Sequence, residues 1–178
     1  LPNSITSIGT HAFAQCIRLV TISIPESLVN IGACAFHKCK SLTSITIPQA
    51  VTAIGNHAFC YCQSLASVSI NTNLPTTIEP ATFFGCVALT AITLPNSVTD
   101  VQESAFLGCE RLASIQLSQQ CTTIADYAFF ECESLETFDI PTSVVMLGQS
   151  VFRECTNLVS IEIPRSVAYV GSRAFNNC

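Results

Sequence analysis

Eight phenylalanines recur at near-constant intervals along the 178-residue chain. Phe13, Phe36, Phe59, Phe83, Phe106, Phe129, Phe152 and Phe175 follow one another at 23 residues, with a single step of 24. A cysteine stands three residues after each, in the series Cys16, Cys39, Cys62, Cys86, Cys109, Cys132, Cys155 and Cys178. Self-similarity at a period of roughly 20–50 residues marks a stack of supersecondary units rather than a globule with one closed core. That pattern constrains architecture strongly and function weakly.

One unit, residues 25–47, shows the local logic. Its tail, Leu42-Thr43-Ser44-Ile45-Thr46-Ile47, ends in apolar–polar alternation with β-branched residues, the pattern of a half-buried strand. Pro48 has no N–H to donate and stops the ladder. The same tail recurs with Ile22/Ile24, Val68/Ile70, Ile92/Leu94, Ile115/Leu117, Phe138/Ile140 and Ile161/Ile163. In the middle of the unit, Ala35, Phe36, Cys39 and Leu42 fall at helical spacing, which predicts a short helix of one or two turns. Gly32 precedes it, where Gly9, Gly55, Gly148 and Gly171 stand in other units. Glu79, Gln102 and Ala125 take that place elsewhere, so the turn does not demand a positive φ. The segment before the glycine is expected to form a second short strand. The predicted fold class is an α/β repeat solenoid with short parallel strands and one short helix per 23-residue repeat. A leucine column, Leu19, Leu42, Leu65, Leu89, Leu112, Leu135 and Leu158, should form its continuous buried spine.

The unit boundaries fall at 2–24, 25–47, 48–70, 71–94, 95–117, 118–140, 141–163 and a partial 164–178, so residues 1–178 read as a single array. Unit 71–94 carries the extra residue, and its Asn71–Pro75 segment should bulge at a corner. Unit 118–140 lacks the proline and has Cys121 in place of valine. Leu1-Pro2 matches Leu94-Pro95, and Cys178 falls in mid-unit, so the array is read as a piece of a longer chain, and no unit in it has the polar outer face of a cap.

The unit pattern L-x-x-I-x-I-P-x-x-V-x-x-I-G-x-x-A-F-x-x-C resembles the BspA-like, or Treponema-type, leucine-rich repeat, over essentially the whole chain. That resemblance implies a right-handed leucine-rich-repeat superhelix. It also implies a surface or secreted protein of a bacterium or protist, with adhesion to matrix proteins or other microbes in some members. It carries no catalytic residues.

Only 11% of residues are charged, against about 25% in ordinary proteins. A net charge of −5 argues against nucleic-acid binding, which uses a basic stripe. No apolar run approaches the roughly 20 residues that span a bilayer, so no membrane insertion is expected. Catalysis finds no support: there is no nucleophile elbow and no glycine-rich phosphate loop.

Three groups of residues are candidates for chemistry. The in-register cysteines point in parallel and should be buried free thiols, not disulfides. His11, Cys34, His37, His57 and Cys60 fall on one patch of the first three units, and His and Cys suit zinc. A splayed surface seldom brings ligands to the ~2.0–2.3 Å that zinc requires. No metal and no cofactor is therefore expected. The outward strand face carries Thr21, Ser23, Thr43, Ser44, Thr46, Ser67, Ser69, Thr90, Thr93, Gln116, Thr137, Asp139 and Glu162. It is a hydroxyl-rich sheet turning acidic toward its C-terminal end, and it is the candidate surface for a protein or glycan ligand. Phe84, Phe130, Tyr61, Tyr127 and Tyr169 fall beside the core positions, and the place of Phe84 and Phe130, one residue after the core phenylalanine, is expected to be half-buried between units rather than a partner hot spot. The leading expectation is a non-enzymatic adhesion or binding module at a cell surface or secreted. The alternatives are a cytoplasmic scaffold and a structural spacer.

Overall fold

A computed structural model describes residues 1–71 and 77–178. All of the segment in which the corner bulge is expected, apart from Asn71, lies outside those residues. The chain winds into coils stacked in sequence, numbered 1 to 8 after their phenylalanines, Phe13 to Phe175.

The strands line up in two ribbons, every pairing is parallel, and each ribbon is interrupted once. One ribbon is built of two-residue strands: β1 (Ser7–Ile8), β2 (Asn30–Ile31), β4 (Ala53–Ile54), β6 (Thr77–Ile78), β8 (Asp100–Val101), β10 (Thr123–Ile124), β12 (Met146–Leu147) and β14 (Tyr169–Val170). These are the expected second strands, just before the glycine position. The other ribbon is built of the longer tail strands: β3 (Ser44–Ile47), β5 (Ser67–Ile70), β7 (Ala91–Thr93), β9 (Ser114–Gln116), β11 (Thr137–Asp139) and β13 (Ser160–Glu162). Its register steps one unit at a time, as in Ser44↔Ser67, Ile45↔Val68 and Thr46↔Ser69. Coil 1 departs from expectation. Its Ile22 and Ile24 form no strand, although Thr43 N–H still donates to Val20 O at 3.1 Å. That tail has a neighbour on one side only.

The expected short helix is absent: no described residue is helical. The segment around each phenylalanine is a run of tight turns. Alternate amides close turns three residues back: Ala35 to Gly32 O, His37 to Cys34 O and Cys39 to Phe36 O. The amides between them leave the coil altogether, Cys34 to Asn56 O, Phe36 to Ala58 O and Lys38 to Cys60 O. Residues two before and two after each phenylalanine adopt positive φ, such as Cys34 at 54° and Lys38 at 59°. A helix holds every residue near −63° and bonds within its own segment. Turns with a positive-φ third residue re-aim every second N–H toward the next coil. The spacing of three that reads as a helical face is the repeat length of these turns.

The glycine position has no positive φ, as expected. Its constraint is close approach instead. A Cβ on Gly55 would lie 2.5 Å from the backbone N of Ala33, and one on Gly32 would lie 2.6 Å from that of Thr10.

The core lies between the ribbons. The phenylalanine rings stack from coil to coil at centroid spacings of 5.2 to 5.6 Å and nearly parallel. The leucine spine is fully buried from Leu42 to Leu135 and half-buried at Leu19 and Leu158. Where coil 6 lacks the proline, Ser118 is buried in its place. Its hydroxyl donates to Asn96 O at 2.8 Å and accepts from Gln120 N–H at 3.0 Å. A buried polar group so satisfied carries little penalty.

Candidate functional site

The long-strand ribbon places alternate side chains on opposite faces, because the strand period is two. Ile45 and Ile47 are buried while Ser44 and Thr46 are exposed. All thirteen candidate residues of the outward face are exposed, from Thr21 and Ser23 to Asp139 and Glu162. Parallel pairing aligns them in columns. One column runs Ser44, Ser67, Ala91 and Ser114, then Thr137 and Ser160. The next pairs Thr46 with Ser69, Thr93 with Gln116 and Asp139 with Glu162. Hydroxyls thus give way to carboxylates along a single column.

Three depressions open along this ribbon. The first is lined by Thr21, Ser23, Ser44 and Thr46, and the second by Ser69, Ala91, Thr93 and Pro95. The third encloses 720 Å³ at the acidic end, between Thr137, Asp139, Ser160, Glu162, Arg165 and Ser166. Ser166 Oγ is buried there with no partner. Its counterparts Ser27 and Ser143 donate to carbonyls one coil back, at 2.8 Å to Ile5 O and 2.6 Å to Cys121 O.

The in-register thiols do something that the sequence pattern does not reveal. Each from Cys39 onward donates to the carbonyl of the phenylalanine one coil back, as in Cys62 to Phe36 O at 3.1 Å, Cys86 to Phe59 O at 3.2 Å and Cys109 to Phe83 O at 3.3 Å. All eleven cysteines are free. Burial pushes the Cys39 thiol up to about 11 and that of Cys155 to about 12, and it holds Cys86, Cys109 and Cys132 well above the usual range. The thiolate is the reactive form, so these groups are chemically quiet. Donor and acceptor lie 26 or 27 residues apart, one coil back plus the three residues between cysteine and phenylalanine, and the bond itself is a feature of the stack.

The five possible zinc ligands are not drawn together. Among the described residues no three His, Cys, Asp or Glu side chains form a metal-holding group. Cys34 and His37 sit at the two ends of a tight turn, not on a helical face. Cys60 is buried, and burial raises its thiol to about 11. His11 is exposed and His57 half-buried. His37 is held below its usual value by burial, and then by Lys38, His57 and His11 nearby.

Phe84 and Phe130 are half-buried against neighbouring coils, as expected, and Tyr127 meets Phe130 within its own coil. Tyr61 lies 4.8 Å from Phe84 and edge-on to His37 at 6.1 Å, and Tyr127 is edge-on to Phe130 at 6.2 Å. Gly85 leaves room for the Tyr61 ring, which would be 2.6 Å from a Cβ there. Arg153 covers Phe130 at 5.4 Å. Tyr169, on β14, is 57% exposed.

Stacked parallel strands, a buried leucine column and an open ribbon face define a leucine-rich-repeat solenoid. The sequence profile of the BspA type leucine rich repeat region (six copies) matches residues 1–78 and 76–178. The chain therefore belongs to the BspA-type leucine-rich repeat family. No curated protein matches it. Among solved structures it is similar to a leucine-rich repeat protein of Eubacterium ventriosum, with a TM-score of 0.84 at 24% identity over 94% of this chain and 44% of that one. It is also similar to a leucine-rich repeat protein of T. pallidum, with a TM-score of 0.77 at 27% identity over 100% of this chain and 74% of that one. A leucine-rich cell surface protein of Faecalibacterium prausnitzii gives a TM-score of 0.64 at 28% identity over 100% of this chain and 56% of that one. The chain thus spans less than half of the Eubacterium protein and little more than half of the Faecalibacterium one. No helix among the described residues is long and apolar enough to cross a membrane.

Proposed function

We propose that this array is a non-enzymatic recognition module of a surface or secreted protein, binding a protein or glycan through the outward face of the long-strand ribbon. The observation that supports this reading is the exposure of all thirteen polar candidates along the coil tails, with those on the strands aligned in columns. Aligned hydroxyls offer donors and acceptors at the strand spacing of about 4.8 Å, a periodic template for an extended chain or a glycan. The acidic end favours a ligand with a basic patch. A related solved structure is that of a cell surface protein, which agrees with display outside the cell. The test is a screen of matrix proteins and glycans against the wild type and the Thr43→Ala/Thr46→Ala/Thr93→Ala variant. The expected result is a ligand whose affinity falls at least about tenfold in the variant, a loss of roughly 1.4 kcal/mol. An unchanged binding profile would make the array a spacer.

A further inference from the structure

The turn face, between the two ribbons, has a charge pattern that the strand-face reading does not use. Two residues after the phenylalanine, the same structural position holds Lys38 in coil 2, Gly85 in coil 4 and Glu131 in coil 6. One residue after the cysteine, it holds Lys40 in coil 2, Val87 in coil 4 and Glu133 in coil 6. Charge therefore reverses about coil 4, whose own surface is apolar: Phe84, Val87 and Ala88 are half-buried and Gly85 has no side chain. Residues 1–70 carry three cations and one acid, and residues 71–178 carry four cations and eleven acids.

Among the described residues, Lys38, Lys40, Glu131 and Glu133 take part in no ion pair, and Arg153 offsets the acidic patch only in part. Among the described residues the one ion pair is Arg153–Glu154 at 3.4 Å. Coils 2 and 6 are four steps apart, roughly 20 Å at the ~4.8 Å spacing of stacked strands. That is more than twice the screening length of about 8 Å at physiological salt. Each patch instead repels itself. Glu131 is held above the usual carboxylate range by burial and by Glu133, Glu110 and Glu154, with Arg153 opposing. His37 is depressed by burial and by the cations around it.

From this mirror arrangement we infer that the turn face is a self-association surface, on which a second copy of the chain packs antiparallel about a twofold axis at coil 4. A twofold interface repeats every contact. It sets Lys38 and Lys40 of each copy against Glu131 and Glu133 of the other, and buries Phe84 and Val87 against their own counterparts. A parallel pair would set like charges together. An unrelated basic or acidic partner would match only one end of the face.

The test is the mass of the chain in solution, by sedimentation or light scattering, at about 0.15 M and about 1 M salt. The wild type is expected at twice the chain mass at low salt, shifting toward the monomer at high salt. Lys38→Glu/Lys40→Glu and Glu131→Lys/Glu133→Lys should each weaken the dimer by at least about tenfold. Their circular dichroism should match the wild type, because the changed side chains lie outside the core. An equimolar mixture of the two variants should regain the dimer, since one then carries acid, and the other base, at both ends. A monomeric wild type at low salt overturns the inference. So does a dimer that survives both charge reversals, or a mixture that stays monomeric.

Discussion

Phe106 lies at the middle of the ring stack, fully buried, with Phe83 at 5.3 Å on one side and Phe129 at 5.4 Å on the other. Replacing it with alanine removes on the order of 150 Å² of buried apolar surface, worth about 4 kcal/mol at ~25 cal/mol/Å². Two ring contacts are lost as well, at roughly 0.5 kcal/mol each. The flanking coils cannot close the gap, because their spacing is set by strand pairing and by the turn amides, Phe83 N–H to Ala105 O and Phe106 N–H to Ala128 O. Phe106→Ala should therefore cost about 4–5 kcal/mol, a large part of the 5–15 kcal/mol typical of a folded domain. Phe13→Ala is the internal control. Phe13 is half-exposed and stacks on Phe36 alone, so its loss should cost about 1–2 kcal/mol. Urea denaturation followed by far-ultraviolet circular dichroism reads both. The interior variant should also show a smaller m-value or two transitions, because removing one interface lets the halves of a linear array melt apart. Equal costs at Phe13 and Phe106, or a cost below about 1 kcal/mol at Phe106, would refute nearest-neighbour stacking as the source of stability.

Two other expectations follow from the packing. The stacked thiols have raised folded-state pKa values, so the folded chain holds their protons more tightly than the unfolded chain does. Their contribution is complete below the unfolded thiol value of about 8.5 and is lost as pH rises through the folded values. With Cys39 at about 11 and Cys155 at about 12, urea midpoints should fall progressively between pH 9 and 12, and native-state alkylation at neutral pH should modify the exposed Cys16 and Cys178 well before Cys86, Cys109 or Cys132. Gly55→Ala should destabilise by about 1–3 kcal/mol through overpacking, although the backbone there suits any residue; a thermal melt unchanged from the wild type would show that the coils separate easily at that contact.

The sequence alone determined the buried columns and the position of the strands, apart from the tail of coil 1. Those features repeat: the Phe, Leu and Ile columns must be buried once per period, and alternation assigns the residues of each tail strand to its two faces. It also determined that the glycine position needs no positive φ, because Glu79, Gln102 and Ala125 occupy it. Tertiary structure alone decided between helix and turns. Steps of three at Phe36, Cys39 and Leu42 satisfy both, and what separates them is whether an amide such as that of Phe36 bonds within its segment or reaches Ala58 in the next coil. That partner is 22 residues away, beyond any local periodicity. The same holds for the thiol–carbonyl bonds, and for the separation of His11, Cys34, His37, His57 and Cys60. A spacing in sequence specifies which residues lie in one coil, but the direction of each side chain is set by the backbone dihedrals that the neighbouring coil imposes.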